Sequence, residues 1–206
     1  MRSGKRIKGM RMIKAVVFDL NGLFVQAPEN RILEQLCAAT GTGLNIAKSN
    51  YLLLILDFER AKYSPYEFWS RVFVGLSLQE YENYVVAEYE KPVEPNLELY
   101  TFAKKLSEKL PIYCISNSNF LQGKAYRKQK LYAPFKEFCL SHESGNAKPF
   151  PSTYLHFLKK NSLSANECVY VDDSAINVLV ASLLGFKAIR YRGNADLFSK
   201  LAKLGL

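Results

Sequence analysis

Hydrophobic positions along the chain follow two different patterns. Between about residues 28 and 91 they recur at helical spacing, as at Ile32, Leu33 and Leu36. From residue 96 onward, helical stretches alternate with short, mainly apolar runs. Such runs are typical of strands covered on both faces, as in a parallel sheet. The pattern therefore predicts a helical segment followed by an α/β segment.

Five strands and the helices between them are predicted. The strands are Ala15 to Phe18, Ile112 to Ile115, Phe138 to Leu140, Cys168 to Val171 and Ala188 to Tyr191. The helices are Glu29 to Ala39, about Leu44 to Arg60, one from Ser64, one from Ser77 to near Tyr89, Leu97 to Lys109, one from about Leu121, Pro151 to Lys160, Ile176 to Leu184 and a closing helix. This alternation implies an α/β fold with a doubly wound, parallel, Rossmann-like sheet.

The helical segment has its own start and stop signals. Ser64 and Ser77 are each followed three positions later by a glutamate, as in a capping box. Pro92 and Pro95 then interrupt the chain, and we place a domain junction there. The predicted domains are a core of residues 12–24 and 93–206 and an inserted helical cap of residues 25–92.

Charge is concentrated at the beginning of the chain. The formal net charge is +9, and five basic residues and no acidic residue lie within residues 1–11. Without that stretch the chain has 23 basic and 19 acidic residues. We interpret residues 1–11 as a disordered basic tail, with too few apolar residues after it for a signal peptide, and expect no nucleic-acid partner. The apolar run Leu52 to Leu56 is far shorter than the ~20 residues of a membrane span.

The four cysteines favour a reducing compartment. Cys37, Cys114, Cys139 and Cys168 show no paired spacing, and three of them lie in predicted strands. We therefore expect buried free thiols and a cytoplasmic location.

The first strand ends abruptly at an acidic residue. Asp19 follows the apolar run, and Asn21 and Gly22 supply a turn signal. Ligands of open parallel sheets bind outside the carboxyl ends of the strands. Taken alone, an acid at this position is more often a turn or helix-cap residue. Its meaning depends on what ends the other strands.

Polar groups follow the later strands as well. Ser116 and Asn117 offer a hydroxyl and backbone N–H groups that could bind a phosphate, although a serine-rich turn is the simpler interpretation. Lys148 lies in the loop after the third strand, where a lone lysine is usually solvated. Asp172 and Asp173 would repel each other without a cation, although one of them could cap a helix. Together these groups favour a site for an anion and a hard metal ion.

In this order the motifs resemble those of the haloacid dehalogenase (HAD) superfamily of phosphohydrolases and phosphotransferases. The matching segments are Phe18-Asp19-Leu20-Asn21-Gly22, Ser116-Asn117, Lys148-Pro149 and Val171-Asp172-Asp173-Ser174 through Asn177. The resemblance extends from Ile13 to the end of the chain. The helical insertion resembles the helical cap of that superfamily.

The resemblance implies a covalent mechanism with Mg2+ as the cofactor. Asp19 takes the place of the aspartate that attacks phosphorus and forms an aspartyl-phosphate. The metal ligands implied are Asp19, the backbone carbonyl of Asn21 and Asp173, with Asp172 as a further ligand or a supporting partner. Mg2+ there would offset repulsion between the phosphate and the carboxylates.

Three further residues have implied roles in phosphate binding. Ser116 and the N–H of Asn117 would hold phosphoryl oxygens, and Lys148 would balance charge on Asp19 and the transferring group. Position 21 departs from the pattern, because most phosphatases of the superfamily carry a second aspartate there as the acid and base. The amide of Asn21 cannot shuttle a proton, and loss of such help costs roughly 10²–10⁴ in rate.

We therefore predict a Mg2+-dependent hydrolase of a small phosphorylated metabolite, slow or selective for good leaving groups, acting as a monomer or homodimer without a membrane partner. A catalytically idle protein of this fold that binds a phosphorylated ligand or a protein is the alternative, and Asn21 supports it. A metal-independent haloacid dehalogenase is the second alternative. The acid pair Asp172 and Asp173 argues against it, since metal-free attack gains nothing from two additional negative charges.

Aromatic side chains are abundant in the predicted cap. Tyr51, Phe58, Phe68, Trp69 and Phe73 could select a substrate. Most have helical spacing, which favours packing in a core. His142, in the loop before Lys148, is a weaker candidate for substrate contact.

Overall fold

A computed structural model describes residues 12–206 and contains a five-stranded parallel sheet. The strands are β1 (Ala15–Phe18), β2 (Ile112–Ser116), β3 (Glu137–Leu140), β4 (Cys168–Asp172) and β5 (Lys187–Arg190). Their order is β3-β2-β1-β4-β5, and every neighbouring pair is parallel. The predicted fold class, a doubly wound parallel sheet, is confirmed. Two strands end one residue later than predicted, so that Ser116 is the last residue of β2 and Asp172 the last residue of β4.

The first strand lies at the centre of the sheet and is completely buried. Phe18 lies beside Cys114 on one side and Val171 on the other. Its even-numbered side chains pack into one hydrophobic cluster and its odd-numbered ones into a second, so both faces are covered. The absence of polar positions in this run follows from that double burial.

Helices of the α/β part cover the two faces of the sheet. They are α6 (Leu97–Ser107), α7 (Phe120–Lys128), α8 (Ser141–Ser144), α9 (Pro151–Lys160), α10 (Ala175–Leu183) and α11 (Asn194–Ala202), with a 3-10 turn at Ala165–Glu167. The four-residue helix α8 and the 3-10 turn are too short to give a periodic signal in the sequence. The other helices lie within a few residues of their predicted bounds.

The helical segment, residues 25–92, contains the remaining helices. They are α1 (Glu29–Thr40), α2 (Leu44–Glu59), α3 (Pro65–Val72), α4 (Leu78–Glu80) and α5 (Ala87–Glu90), with a π-helical stretch at Tyr81–Val86 between the last two. Both predicted capping boxes, at Ser64 and Ser77, are present. Aromatic rings from α2 and α3 form a core of their own, with Phe58 stacked on Phe68 at 4.0 Å between centroids.

That core is a hydrophobic cluster distinct from the two clusters on the sheet. We propose on this basis that residues 25–92 form an inserted domain and that residues 12–24 and 93–206 form the core domain. The predicted basic tail, residues 1–11, lies outside the described residues. Among residues 12–206, none of the helices combines the length and apolar character that crossing a bilayer requires. The four cysteines are free thiols, and Cys114 and Cys168 are buried.

Candidate active site

Asp19 occupies the carboxyl end of the central strand. Its backbone N–H donates to the Val171 carbonyl at 2.8 Å, which extends the pairing of β1 with β4 by one residue. Its Oδ1 accepts a hydrogen bond from the Leu20 amide at 2.6 Å. Burial and, to a smaller extent, the nearby Asp172 raise the pKa of Asp19 and Lys148 lowers it, with a net rise to about 7. A divalent cation beside this carboxyl would favour its ionised form.

Lys148 links the first and fourth strands. Its Nζ lies 2.7 Å from Asp19 Oδ2 and 2.9 Å from Asp172 Oδ2. The lysine is only 2% exposed, so water screens these ion pairs very little. Burial opposes its charge, but the two carboxylates outweigh burial and raise its pKa. Lys148 is therefore a fixed cation, not the solvated loop lysine of the simpler interpretation.

The carboxylate of Asp172 has protein partners for both of its oxygens. Oδ2 accepts from the Tyr170 hydroxyl at 2.5 Å as well as from Lys148. Oδ1 accepts from the backbone amide of Ser174 at 2.8 Å, and the side-chain amide of Asn177 donates to both oxygens. Burial works against ionisation, but these donors hold the pKa of Asp172 below its usual range. The sequence predicted Asp172 to be either a further metal ligand or a supporting partner, and this network favours the supporting role.

Asp173 is the more available member of the acid pair. It is exposed, and it lines the same cavity as Asp19. Each of Asp19, Asp172 and Asp173 offers an oxygen, and these three oxygens lie within 4.8 Å of one another. Carboxylate oxygens are the ligands that Mg2+ prefers. These three carboxylates therefore fit a magnesium ion.

Gly22 brings the turn after β1 into contact with Asp173. Its φ of +79° is in the left-handed region, and a Cβ at this position would lie 2.3 Å from Asp173 Oδ2. A side chain at residue 22 would therefore displace the carboxylate as well as strain the backbone. The close approach and the positive φ explain why a glycine occupies this position of the turn after Asp19.

We expect Gly22→Ala to weaken Mg2+ binding by at least about tenfold, because the methyl group pushes Asp173 away from Asp19. Titration calorimetry with MgCl2 measures the loss. Gly41→Ala is the matched control: Gly41 has a similar φ of +72° but nothing within 4 Å of its Cβ position. Equal Mg2+ affinity in the two variants would contradict this role for Asp173.

Asn117 lines the cavity, whereas Ser116, the last residue of β2, is not among the residues that line it. Ser116 is buried, and its Oγ donates to the Asn117 carbonyl at 3.1 Å. The Asn117 side chain accepts from the Lys148 amide at 2.7 Å and donates to the Lys148 carbonyl at 2.9 Å. The sequence indicated only the backbone N–H of Asn117. Its side chain positions Lys148 as well.

Asn21 lines the cavity and is hydrogen-bonded to polar neighbours. Its Oδ1 accepts from the Tyr126 hydroxyl at 3.2 Å, and its Nδ2 donates weakly to the Asn117 carbonyl and to Gln122 Oε1, both at 3.4 Å. An amide satisfies this mixed set of donors and acceptors better than a carboxylate would.

A cavity of about 380 Å³ opens above these residues. Asp19, Lys148 and Asp173 line its floor, and Asn117 and Asn177 lie beside them. Glu29, Tyr51 and Glu59, all from the helical segment, form another part of the lining, which we call the cavity wall. The sequence did not single out Glu29 or Glu59, because one begins a helix and the other ends one, as charged residues commonly do.

The remaining candidates that the sequence suggested for substrate contact, four aromatic residues and His142, have structural roles. Phe58, Phe68, Trp69 and Phe73 are buried in the core of the helical segment, as their spacing favoured. His142 does not line the cavity; its Nδ1 lies 2.8 Å from the Ser118 hydroxyl.

Comparisons with known proteins give matches that cover most of the chain. No family model matches the sequence. The chain is 23% identical to the D-ribitol-5-phosphate phosphatase of Bacteroides thetaiotaomicron over 198 residues, which cover 90% of this chain and 95% of that protein. It is 20% identical to a predicted HAD-like family hydrolase of Porphyromonas gingivalis, with a TM-score of 0.70 over 94% of this chain and 98% of that one.

A HAD family enzyme of Bacteroides thetaiotaomicron, solved in complex with magnesium and inorganic phosphate, gives a TM-score of 0.75 at 24% identity. That likeness covers 90% of this chain and 99% of the other. The L-2-haloacid dehalogenase of Xanthobacter autotrophicus is more distant, with a TM-score of 0.62 at 17% identity over 92% of this chain and 82% of that one. The chain has the fold of the haloacid dehalogenase family.

Proposed function

We propose that the protein is a Mg2+-dependent phosphatase of a small phosphorylated metabolite, with Asp19 as the nucleophile. The observation that carries the proposal is the convergence of Asp19, Lys148 and Asp173 on the floor of one cavity. A relative named as a phosphatase and a similar structure that contains magnesium and phosphate support it.

In the proposed first step, a carboxylate oxygen of Asp19 attacks phosphorus in line, and the bond from phosphorus to the substrate oxygen breaks. Asp19 then carries the phosphoryl group as an aspartyl-phosphate. Lys148 stays paired with Asp172, so its charge faces the reacting group from a fixed position. Water later attacks the aspartyl-phosphate and returns Asp19 to a carboxylate with release of phosphate.

Asp19, Asp173 and the backbone carbonyl of Asn21 would hold the metal ion. When bound, Mg2+ supplies positive charge that offsets repulsion between the substrate's phosphate and the carboxylates. Asp172 would support the site through Lys148 and the Ser174 amide. Ser116 and the N–H of Asn117 would bind phosphoryl oxygens, which agrees with their place at the end of β2.

The leaving oxygen receives no proton from Asn21, so we propose that good leaving groups react fastest. The direct test is a panel of phosphorylated metabolites with Mg2+ and with EDTA, including D-ribitol 5-phosphate and sugar 1-phosphates. We expect Mg2+-dependent release of phosphate from a subset of the panel. Absence of release from every member would contradict the enzymatic proposal and favour a phospho-ligand-binding role.

That rival role has one observation in its favour, the hydrogen-bonded Asn21 at the position of the acid. Trapping with beryllium fluoride separates the two proposals, because a reactive Asp19 forms a stable acyl-phosphate mimic. A dehalogenase gains support only from the more distant fold likeness. The buried Asp172 and the adjacent Asp173 argue against it, as both add negative charge that metal-free attack does not use.

We expect Asn21→Asp to raise the rate on substrates with poor leaving groups by about ten- to a hundredfold. General acid catalysis contributes 10²–10⁴ in general. The gain here should be lower, because an aspartate would lose both donor contacts and face the Asn117 carbonyl. Steady-state rates on an alkyl phosphate and on p-nitrophenyl phosphate measure the effect.

The second of those substrates is the control, since its leaving group needs little protonation. An equal gain on both substrates would contradict a general acid role for residue 21. Asn83→Asp, an exposed change that also adds one negative charge to the chain, controls for net charge.

A further inference from the structure

The cavity wall contributed by the helical segment contains two carboxyl groups. Glu29 is the first residue of α1 and Glu59 the last residue of α2, and both line the cavity together with Tyr51. A phosphate held at the floor would direct the organic part of the substrate towards this wall. The inference that follows therefore rests on the proposed function.

Glu29 has one satisfied oxygen and one unsatisfied oxygen. Its Oε1 accepts from the Tyr89 hydroxyl at 2.9 Å, and Tyr89 in turn accepts from the Asn119 side chain at 2.8 Å. Its Oε2 is buried and has no hydrogen-bond partner within residues 12–206. A buried carboxylate oxygen without a donor costs free energy until a donor reaches it.

Glu59 is also fixed in place. Its Oε2 accepts from the Asn117 side chain at 2.8 Å, so its orientation is tied to the phosphate end of the cavity. Burial and the charge of Glu29 together raise the pKa of Glu59 to about 8, although the hydrogen bond from Asn117 and the charge of Lys148 lower it. Burial likewise raises the pKa of Glu29.

Neither carboxylate forms an ion pair within the described part of the chain. The neighbouring arginines are engaged elsewhere. Arg31 pairs with Glu88 at 2.6 Å, and Arg60 donates to the Gly145 carbonyl at 3.1 Å and lies over the Phe150 ring. The wall therefore has carboxyl oxygens that no ion pair compensates within residues 12–206. Arg31 lowers the pKa of Glu29 and Lys148 that of Glu59, but burial outweighs both effects.

We propose that Glu29 and Glu59 bind a hydrogen-bond donor of the substrate, a hydroxyl or an ammonium group at the end remote from the phosphate. A donor group that reaches these carboxyls stabilises their ionised form against the effect of burial. An ionised carboxylate only accepts hydrogen bonds, so the group that it recognises must donate. A carboxylate or a second phosphate at that end of the substrate is disfavoured, because it would meet like charge in a buried site. The two glutamates thus select hydroxylated or aminated phosphate esters over acidic ones.

The test uses unreactive ligands, so that binding is measured without turnover. Alkylphosphonates of two to five carbons, ending in methyl, hydroxyl, ammonium or carboxylate, are titrated with Mg2+ into the full-length protein by calorimetry. At one chain length or more, we expect the hydroxyl or ammonium ligand to bind about tenfold to a hundredfold more tightly than the methyl ligand, as for hydrogen bonds to charged groups. The carboxylate ligand should bind more weakly than the methyl ligand.

Variants assign the preference to the two glutamates. Glu29→Gln and Glu59→Gln remove the charge and keep an acceptor oxygen for Tyr89 or Asn117. We expect at least one of them to reduce the ratio of ammonium to methyl affinity by about tenfold. An amide still accepts from a hydroxyl, so a hydroxyl preference that survives while the ammonium preference falls identifies the natural group as a hydroxyl. Glu34→Gln, an exposed change on the same helix α1, should keep the wild-type ratio.

Two results would overturn the inference. One is equal affinity for the methyl, hydroxyl and ammonium ligands at every chain length, and the other is an unchanged preference in both glutamine variants. Failure of all phosphonates to bind would instead overturn the proposed function, and the inference with it. Thermal unfolding of each variant checks that the fold is retained.

Discussion

Asp19→Asn is expected to abolish phosphate release, with a loss of about 10⁴-fold or more, the scale found when the nucleophile of a covalent mechanism is removed. An amide cannot form the aspartyl-phosphate, although it occupies nearly the same volume. The protein should remain folded, because Lys148 keeps its partner Asp172. Steady-state phosphate release with Mg2+ measures the loss.

Asp196→Asn is the matched control for that change. Asp196 lies on α11, partly exposed and paired with Lys200, so the same chemical replacement leaves the cavity intact. Beryllium fluoride should label the wild-type protein and the control but not the Asp19 variant. Retention of more than about a hundredth of the wild-type rate by that variant would mean that another group is the nucleophile.

Lys148→Met is expected to destabilise the fold by about 3–5 kcal/mol and to remove activity. Removing one partner of a buried ion pair leaves uncompensated charge in the interior. Here two carboxylates, Asp19 and Asp172, would lose the ammonium group that lies within 2.9 Å of each. Urea unfolding at neutral pH measures the change in the free energy of unfolding.

The destabilisation should shrink as the pH falls from about 7 towards about 4, near the ordinary pKa of aspartate. Without the lysine, burial raises the folded-state pKa values of the two carboxyls above their unfolded values. Their protonated forms then favour the folded state, so the variant regains stability at lower pH. A difference that stays constant over this range would show that lost packing, and not charge, causes the effect.

Lys14→Met is the control at an exposed ion pair. Lys14 lies 2.7 Å from Glu167, but more than half of its side chain is exposed. Water and salt screen such a pair, so its loss should cost less than about 1 kcal/mol. The contrast between the two lysines isolates the contribution of burial.

Much of the fold could be predicted because the central strands are apolar without interruption. Ala15–Phe18 and Cys168–Asp172 are buried on both faces, and that double burial is visible as a run of apolar letters. The convergence of Asp19, Ser116 and Asp172 then follows from topology, since adjacent parallel strands end at one edge of the sheet.

The parts that could not be predicted depend on contacts between distant segments. Nothing in the sequence distinguishes Glu29 or Glu59 from an ordinary charged residue at a helix end. Their importance arises from tertiary packing, which turns them towards the cavity and leaves Oε2 of Glu29 unpaired. The division of labour between Asp172 and Asp173 likewise becomes visible only through the hydrogen bonds of Tyr170 and Ser174.

The side chain of Asn117 joins the loop that carries Lys148 to the last residue of α2. The position of the helical segment and the affinity for the proposed phosphorylated ligand are therefore thermodynamically coupled. If a bound ligand stabilises the packing of α2 by some factor, that packing raises the affinity for the ligand by the same factor. A change far from the reacting atoms that loosens this helix is therefore expected to weaken ligand binding.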